Sequence, residues 1–252
     1  MRDKELYVKQ HGPGVEADWL RYRLLEDIAS KMDKLQVPRA VLKDENHGTI
    51  SYEYFNFPPA SLHYLDNPQA WFFIGSQLAK LQARDIRAPD GLKPAPFLLS
   101  SLGVNASDQS VLSCLPITWM HGDFWHGNVF LDGMERIIVI DPIPAPFMPF
   151  ADCVTASGAV DAAFMYMSLF ICHPLRKQVF IRVSKIRTAA EAFLDGYAGC
   201  GADYSELKNA LRRLATRLAE IWVAGYWRRL PYPIAVVKVL ATRRNLHYLK
   251  SL

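Results

Sequence analysis

The sequence predicts an α+β chain in two unequal parts: a small mixed N-terminal part, and a larger, mostly helical C-terminal part with a polar loop at its base. Three observations predict this. Short alternating runs and one amphipathic stretch fill the first 57 residues, and four helical patterns fill most of 159–250. Between them, "HGDFWHGN" at 121–128 stands between strand-like flanks. A boundary after residue 57 divides the chain into 1–57 and 58–252, an order that suggests a cleft between unequal lobes.

Each element has its own signal. Residues 5–10, "ELYVKQ", alternate well enough for a short strand, and "HGPG" at 11–14 marks a turn. Leu20, Leu24, Ile28 and Met32 recur every fourth residue, with Trp19 and Leu25 beside them, which predicts a helix over 15–33 with one buried stripe. "RAVLKD" and "TISYEYF" fit two strands joined by the hairpin turn "ENHG". In "NFPPASLHYLDNP", Pro58 and Pro59 withhold backbone donors, so this stretch reads as the linker between the lobes. Residues 69–84 then read as a helix, 86–97 as a Pro-rich loop and 104–113 as a polar connection. "NVFL" and "RIIVID" form two strands about a turn at Asp132 and Gly133, and helices follow over 159–172, 184–198, 204–227 and 233–250.

Composition excludes some classes of function. Of 252 residues, 50% are hydrophobic and 21% charged, enough apolar material for a sizeable core. The net charge of +4 is scattered except for Arg228, Arg229, Lys238, Arg243 and Arg244, read as a solvated basic face, so no nucleic-acid partner is expected. The cysteines Cys114, Cys153, Cys172 and Cys200 have no CxxC spacing, which points to reduced thiols in a cytoplasmic protein. No apolar leader opens "MRDKELYVKQ", and Asp161 interrupts the most apolar later stretch, so no membrane partner is expected either.

The loop itself admits three readings: a catalytic loop, a metal site or a polar turn. Asp123 precedes Asn128 by five residues, and Asp141 closes the apolar strand "RIIVID". A carboxylate at the end of a buried strand needs a cation or hydrogen-bond partner, and magnesium serves. Phosphoryl transfer from a nucleotide requires an acid to take the substrate hydroxyl proton and oxygen ligands that hold magnesium against the phosphates. The loop and the later "VID" supply those groups in order.

"HGDFWHGN" followed by "IDP" resembles the catalytic and metal loops of the aminoglycoside phosphotransferase and choline kinase superfamily, closest to its fructosamine kinase-like branch. The resemblance implies a protein-kinase-like two-lobed fold with a reduced N-lobe and a mostly helical C-lobe. It implies ATP and Mg2+ as cofactors and a small-molecule hydroxyl substrate such as an aminoglycoside, amino sugar, ketoamine or choline-like alcohol. By the same resemblance Asp123 is the catalytic base, His121 organises the catalytic loop, and Asn128 and Asp141 are metal ligands. "LYVKQ" is similar to the strand bearing the phosphate-binding lysine, Lys9, and "VEADWL" to the helix whose glutamate pairs with it, Glu16 rather than Glu26. Backbone near Glu53, Tyr54 and Phe55 is then the adenine-binding hinge. Gln82 stands where many relatives carry histidine, and Asp161 opens the helix after the metal loop as a structural acid.

One departure stands out. Relatives place a strand, a glycine turn and a second strand before the lysine strand, as a lid over the phosphates. Only about five residues precede it here, too few for a hairpin at roughly 3.3 Å per residue. The lid is therefore expected to be absent, which keeps a catalytically impaired pseudokinase as the alternative. A metallohydrolase using His121, Asp123 and His126 ranks below both, because three ligands within six residues converge poorly on one metal. Trp222, Tyr226, Trp227 and Tyr232 would suit a cationic substrate, but core packing explains their spacing at least as well. Oligomeric state is not legible.

Overall fold

The structure, a computed structural model, describes residues 6–54, 60, 65–84, 93–94, 98–133, 135–173, 182–199 and 204–251. Strand β1 (Leu6–Gln10) is followed by a 3-10 turn (Gly12–Gly14) and helix α1 (Val15–Ser30). β2 (Leu35–Gln36), β3 (Ala40–Asp44) and β4 (Thr49–Glu53) complete the N-terminal part. Beyond the stretch read as a linker, most of which lies outside the described residues, come α2 (Pro68–Gln82), β5 (Lys93–Pro94), α3 (Leu98–Ser101) and α4 (Ala106–Leu112). β6 (Ile117–Trp119), β7 (Val129–Asp132), β8 (Arg136–Val139) and β9 (Cys153–Ser157) then lead to α5 (Ala159–Ile171), α6 (Val183–Ala198), α7 (Ser205–Arg229) and α8 (Tyr232–Lys250). The α+β class is as expected.

The first sheet runs β1-β4-β3, all antiparallel, with Lys9 opposite Ile50. Its hairpin turns at Gly48, whose φ of +61° is open to glycine and costly for most other residues. The Gly48 carbonyl accepts the N–H groups of His11 and Gly12 at 2.8 and 3.0 Å, which ties the turn after β1 to the hairpin. Helix α1 serves two cores. Val15 and Tyr22 pack with Ala40, Ile50 and Tyr52 against this sheet, while Leu25, Ile28 and Ala29 join the main core.

β2 lies before the expected boundary at 57 but pairs in parallel with β8, which also carries β7 in an antiparallel hairpin. A third sheet, β5-β9-β6, continues into α5. Every residue of α5 is buried, and α6, α7 and α8 pack around it. The apolar stretch that Asp161 interrupts is thus the centre of the main core, and no helix among the described residues is long and apolar enough to cross a membrane.

Several elements depart from the sequence expectation, β5 within the expected Pro-rich loop among them. Residues 104–113 were expected as a polar connection but contain α4, which lacks an apolar stripe. It is held by an Asn105 cap on the Asp108 N–H at 2.8 Å and by the bidentate bond of Arg213 to the Asp108 carboxylate. β6 is the strand-like flank expected before the loop, whereas β9 went unpredicted because it is short and almost wholly buried, leaving no alternation to read.

α2 and α6 touch backbone to backbone. A Cβ on Gly75 would lie 2.2 Å from the Phe193 carbonyl oxygen, and one on Gly196 would lie 2.0 Å from that of Phe72. The two glycines therefore set the helix separation. Gly196→Ala is expected to destabilise the protein by about 1–3 kcal/mol through overpacking. Gly14→Ala, where the nearest atom to a new Cβ is 3.9 Å away, should change little. Urea midpoints of the two variants check this, and equal midpoints would contradict the close-contact account.

Candidate active site

The polar loop is fixed from beneath by one buried acid. Asp161, in the first turn of α5, accepts the His121 N–H at 2.7 Å on one oxygen and the Gly122 N–H at 2.8 Å on the other. The Gln82 amide approaches at 3.5 Å and is itself held by the Tyr197 hydroxyl at 2.7 Å. Burial pushes the Asp161 carboxyl up to about 7, against the three N–H donors that favour its charge. Position 122 needs glycine, with φ +76° and a Cβ that would lie 2.2 Å from the Pro144 ring.

His121 has both ring nitrogens engaged. Nδ1 accepts the Asp123 N–H at 3.2 Å, which leaves Nε2 to donate to the Ile140 carbonyl at 2.9 Å. The ring bridges the polar loop to the residue just before Asp141, and burial pushes its pKa down to about 3. It holds the loop in shape and stays neutral. With both nitrogens occupied and His126 stacked on His173 at 4.6 Å, the two loop histidines are not arranged as metal ligands with Asp123. No group of three or more His, Cys, Asp or Glu among the described residues is placed to hold a metal.

Asn128, buried after the loop, donates from its side-chain amide to Asp123 Oδ2 at 2.8 Å and to the Asp123 carbonyl at 3.0 Å, fixing the acid's orientation. The Asp123 carboxyl is raised well above the usual carboxylate range, first by burial and then by the negative charge of Asp141. The negative charge of Asp141 thus acts on Asp123, a repulsion that a cation bound between them would relieve.

Asp141 is the only non-glycine residue with positive φ among those described, at 63°. Aspartate tolerates this region better than most residues, and such strain concentrates at functional sites. Its N–H donates to the Tyr22 hydroxyl at 2.7 Å, and its carboxylate pairs with the Lys9 ammonium. The support continues inward. Tyr22 and Tyr52 rings lie 4.3 Å apart, the Tyr52 hydroxyl meets His11 Nε2 at 3.0 Å, and His11 Nδ1 meets Asp18 at 2.9 Å. Burial raises both tyrosine pKa values, so the hydroxyls stay protonated.

Glu16 corrects the expectation. Its carboxylate pairs with Lys43 on β3, across the hairpin, and not with Lys9. Glu26, the other candidate, pairs with Arg23 and accepts the Ala40 N–H. Glu16 stands at the start of α1 on an exposed face, where the nearest cation is on the neighbouring strand; Lys9 reaches Asp141 instead.

Two cavities meet this constellation. One of about 390 Å³ lies between the first sheet and the β7–β8 hairpin, with Lys9 and Asp141 at its polar end and Glu53, Tyr54, Phe130 and Ile138 among its walls. Phe55, expected to share the hinge, lies outside the described residues. The second cavity, about 220 Å³, opens beside Asp123 and is lined by Trp125, Trp222, Tyr226 and Lys238. Trp222 and Tyr226 are therefore pocket walls as well as packing residues, whereas Trp227 and Tyr232 are exposed. Sequence reasoning missed Tyr22, Tyr52 and Lys238, none of which carries a motif.

No family model matches the sequence, and no curated protein matches it. Solved structures do. A spectinomycin phosphotransferase in complex with ADP and spectinomycin superposes with a TM-score of 0.58 at 13% identity, over 100% of this chain and 88% of its own. A choline/ethanolamine kinase family protein from Mesorhizobium loti gives 0.56 at 13%, with the same coverage. The chain shares the fold of these proteins. A glucosamine kinase in complex with glucosamine, ADP and inorganic phosphate adds 0.57 at 18%, over 98% of this chain and 78% of its own. These structures carry the two-lobed, kinase-like architecture expected from the loop motif.

The hydrogen bonds of His121 predict a pH dependence. An added proton would set an N–H against the Asp123 N–H, so the folded state takes it up only near pH 3, while the unfolded chain binds it near 6.5. Stability from this residue is present above pH 6.5 and is lost as pH falls towards 3. Between pH 7.5 and 5.0 the loss is about 2 kcal/mol. Urea unfolding of the wild type at both pH values should show that component, and His121→Gln should lack it; equal acid sensitivity in both would contradict a neutral, fully engaged ring.

Proposed function

We propose that the protein is a phosphotransferase that moves the ATP γ-phosphate to a hydroxyl of a small molecule with magnesium. One observation carries this reading: Asp141 with Lys9 ends one cavity and Asp123 opens onto another, so donor and acceptor each have a chamber that meets the same acidic cluster. Magnesium fits the donor set. The site offers a carboxylate and an amide oxygen next to a second carboxylate, and Mg2+ takes few protein oxygens and completes its shell with phosphates and water. Asn128 and Asp141 would hold it, and when bound it neutralises charge on the phosphates.

The chain's own residues do the rest. Asp123, oriented by the Asn128 amide, accepts the hydrogen of the substrate hydroxyl and aligns its oxygen for attack. Its raised pKa falls when a cation offsets Asp141, so the base becomes competent as the site fills. Lys9 is poised at the cavity end to exchange Asp141 for a phosphate oxygen, and Ile138 and Phe130 offer an apolar wall to the base of the nucleotide. Bound substrates brought together in this way gain mainly from orientation and charge stabilisation.

Asp123→Asn is expected to lower acceptor-dependent ADP release by 10²–10⁴-fold, a typical size for loss of a general base, while MgATP binding stays unchanged. A coupled ADP assay with a panel of neutral, anionic and cationic small alcohols, alongside calorimetry with MgATP, reads both. Undiminished turnover in the variant would remove Asp123 from the reaction.

A further inference from the structure

The second cavity says more about the acceptor than the resemblance does. Its walls are aromatic and preset. Trp222 meets Phe147 and Phe164 edge-on at 5.3 and 5.5 Å, which fixes its ring. Trp125 folds over Gly127, where a Cβ would lie 2.4 Å from the indole, so only glycine leaves that ring its place. Tyr226 completes the set, and Ile143 and Ala145 add apolar surface. Rigid aromatic walls of this kind favour a flat ring or an apolar face.

The charge in the cavity is not that of a cation-binding site. Among the described residues that line it, Asp123, which the phosphotransfer reading uses, is the one acid, and Lys238 supplies a cation. The Lys238 ammonium lies 5.7 Å above the Tyr226 ring and 3.4 Å from the His173 carbonyl. The protein's own ammonium thus takes the aromatic face that a substrate cation would seek, and repels a second cation placed there. This overturns the expectation that Lys238 belongs to a solvated basic face. At about 220 Å³, the cavity has room for a single ring.

We propose that this cavity takes a small hydroxyl compound with one flat ring and a carboxylate, the ring lying among Trp125, Trp222 and Tyr226 and the carboxylate on Lys238. The inference rests on the phosphotransfer reading for the hydroxyl's fate, but the charge preference belongs to the cavity alone. Lys238 is then the specificity-determining residue.

Three probes of one shape and three charges test it: 4-(hydroxymethyl)benzoate, 4-(hydroxymethyl)benzamide and 4-(hydroxymethyl)benzylamine. Calorimetry on the full chain should give the benzoate an affinity about tenfold or more above the amine, with the amide between them. Lys238→Met should bring the three close together, and Lys238→Glu should reverse their order. An amine that binds the wild type as well as the benzoate, an order indifferent to both variants, or no binding by any probe at millimolar concentration would overturn the proposal. The order is read without turnover, so it separates the two claims. Phosphorylation of cationic alcohols with the binding order reversed defeats the charge assignment alone, and the expected order without phosphate transfer to any acceptor defeats the phosphotransfer reading alone.

Discussion

The buried carboxylate of Asp161 is the constraint on which the polar loop depends. A charge removed from water is costly unless hydrogen bonds replace its hydration. Asp161 recovers that cost by taking two consecutive backbone N–H groups of the loop, at the N-terminal end of α5, where the helix dipole favours an anion. Two N–H groups pointing at one carboxylate force the backbone through the left-handed conformation at Gly122. That turn sets Asp123 at the edge of the second cavity and leaves His121 beneath it, reaching the Ile140 carbonyl. The acid contributes by holding the loop's shape.

A second constraint joins the parts of the chain. Lys9 and Asp141 are 132 residues apart, and their ion pair links the edge strand of the first sheet to the end of the β7–β8 hairpin. Tyr22, from the helix that serves both cores, takes the Asp141 N–H and stabilises its unusual backbone conformation. In this arrangement Asp141 is already neutralised and oriented before any ligand enters, and the exchange of one cation partner for another replaces the burial of a bare charge. The aromatic chain through Tyr52 and His11 to Asp18 extends that support to the hairpin.

Much of this was legible because the signals are local. The period of α1, the glycine of the β3–β4 turn and the spacing from Asp123 to Asn128 each lie within one short window. What was not legible depends on long-range partners. α4 needs Arg213 from 105 residues away, and nothing in "VNASDQSVLS" declares it. β9 exists because the core encloses it. The glutamate of α1 illustrates the limit of resemblance: order along the chain suggested a pair with Lys9, but Glu16 lies nearest Lys43 across the hairpin. Trp222, Tyr226 and Lys238 show another. A four-residue aromatic spacing is the same for a core stripe and a pocket wall, and only the tertiary position of α8 beside α7 brings Lys238 over Tyr226.

The central claim is that Asp141 gathers a nucleotide and its metal against Lys9. Thermal unfolding with ATP, with and without magnesium, of the wild type and Asp141→Ala tests it most directly. At about 100 times its dissociation constant a ligand stabilises by about 2.7 kcal/mol, a shift of roughly 5–10 °C for a chain of this size. The account predicts a magnesium-dependent shift in the wild type that is missing from Asp141→Ala. No shift in the wild type, or the same shift in both proteins, would contradict it.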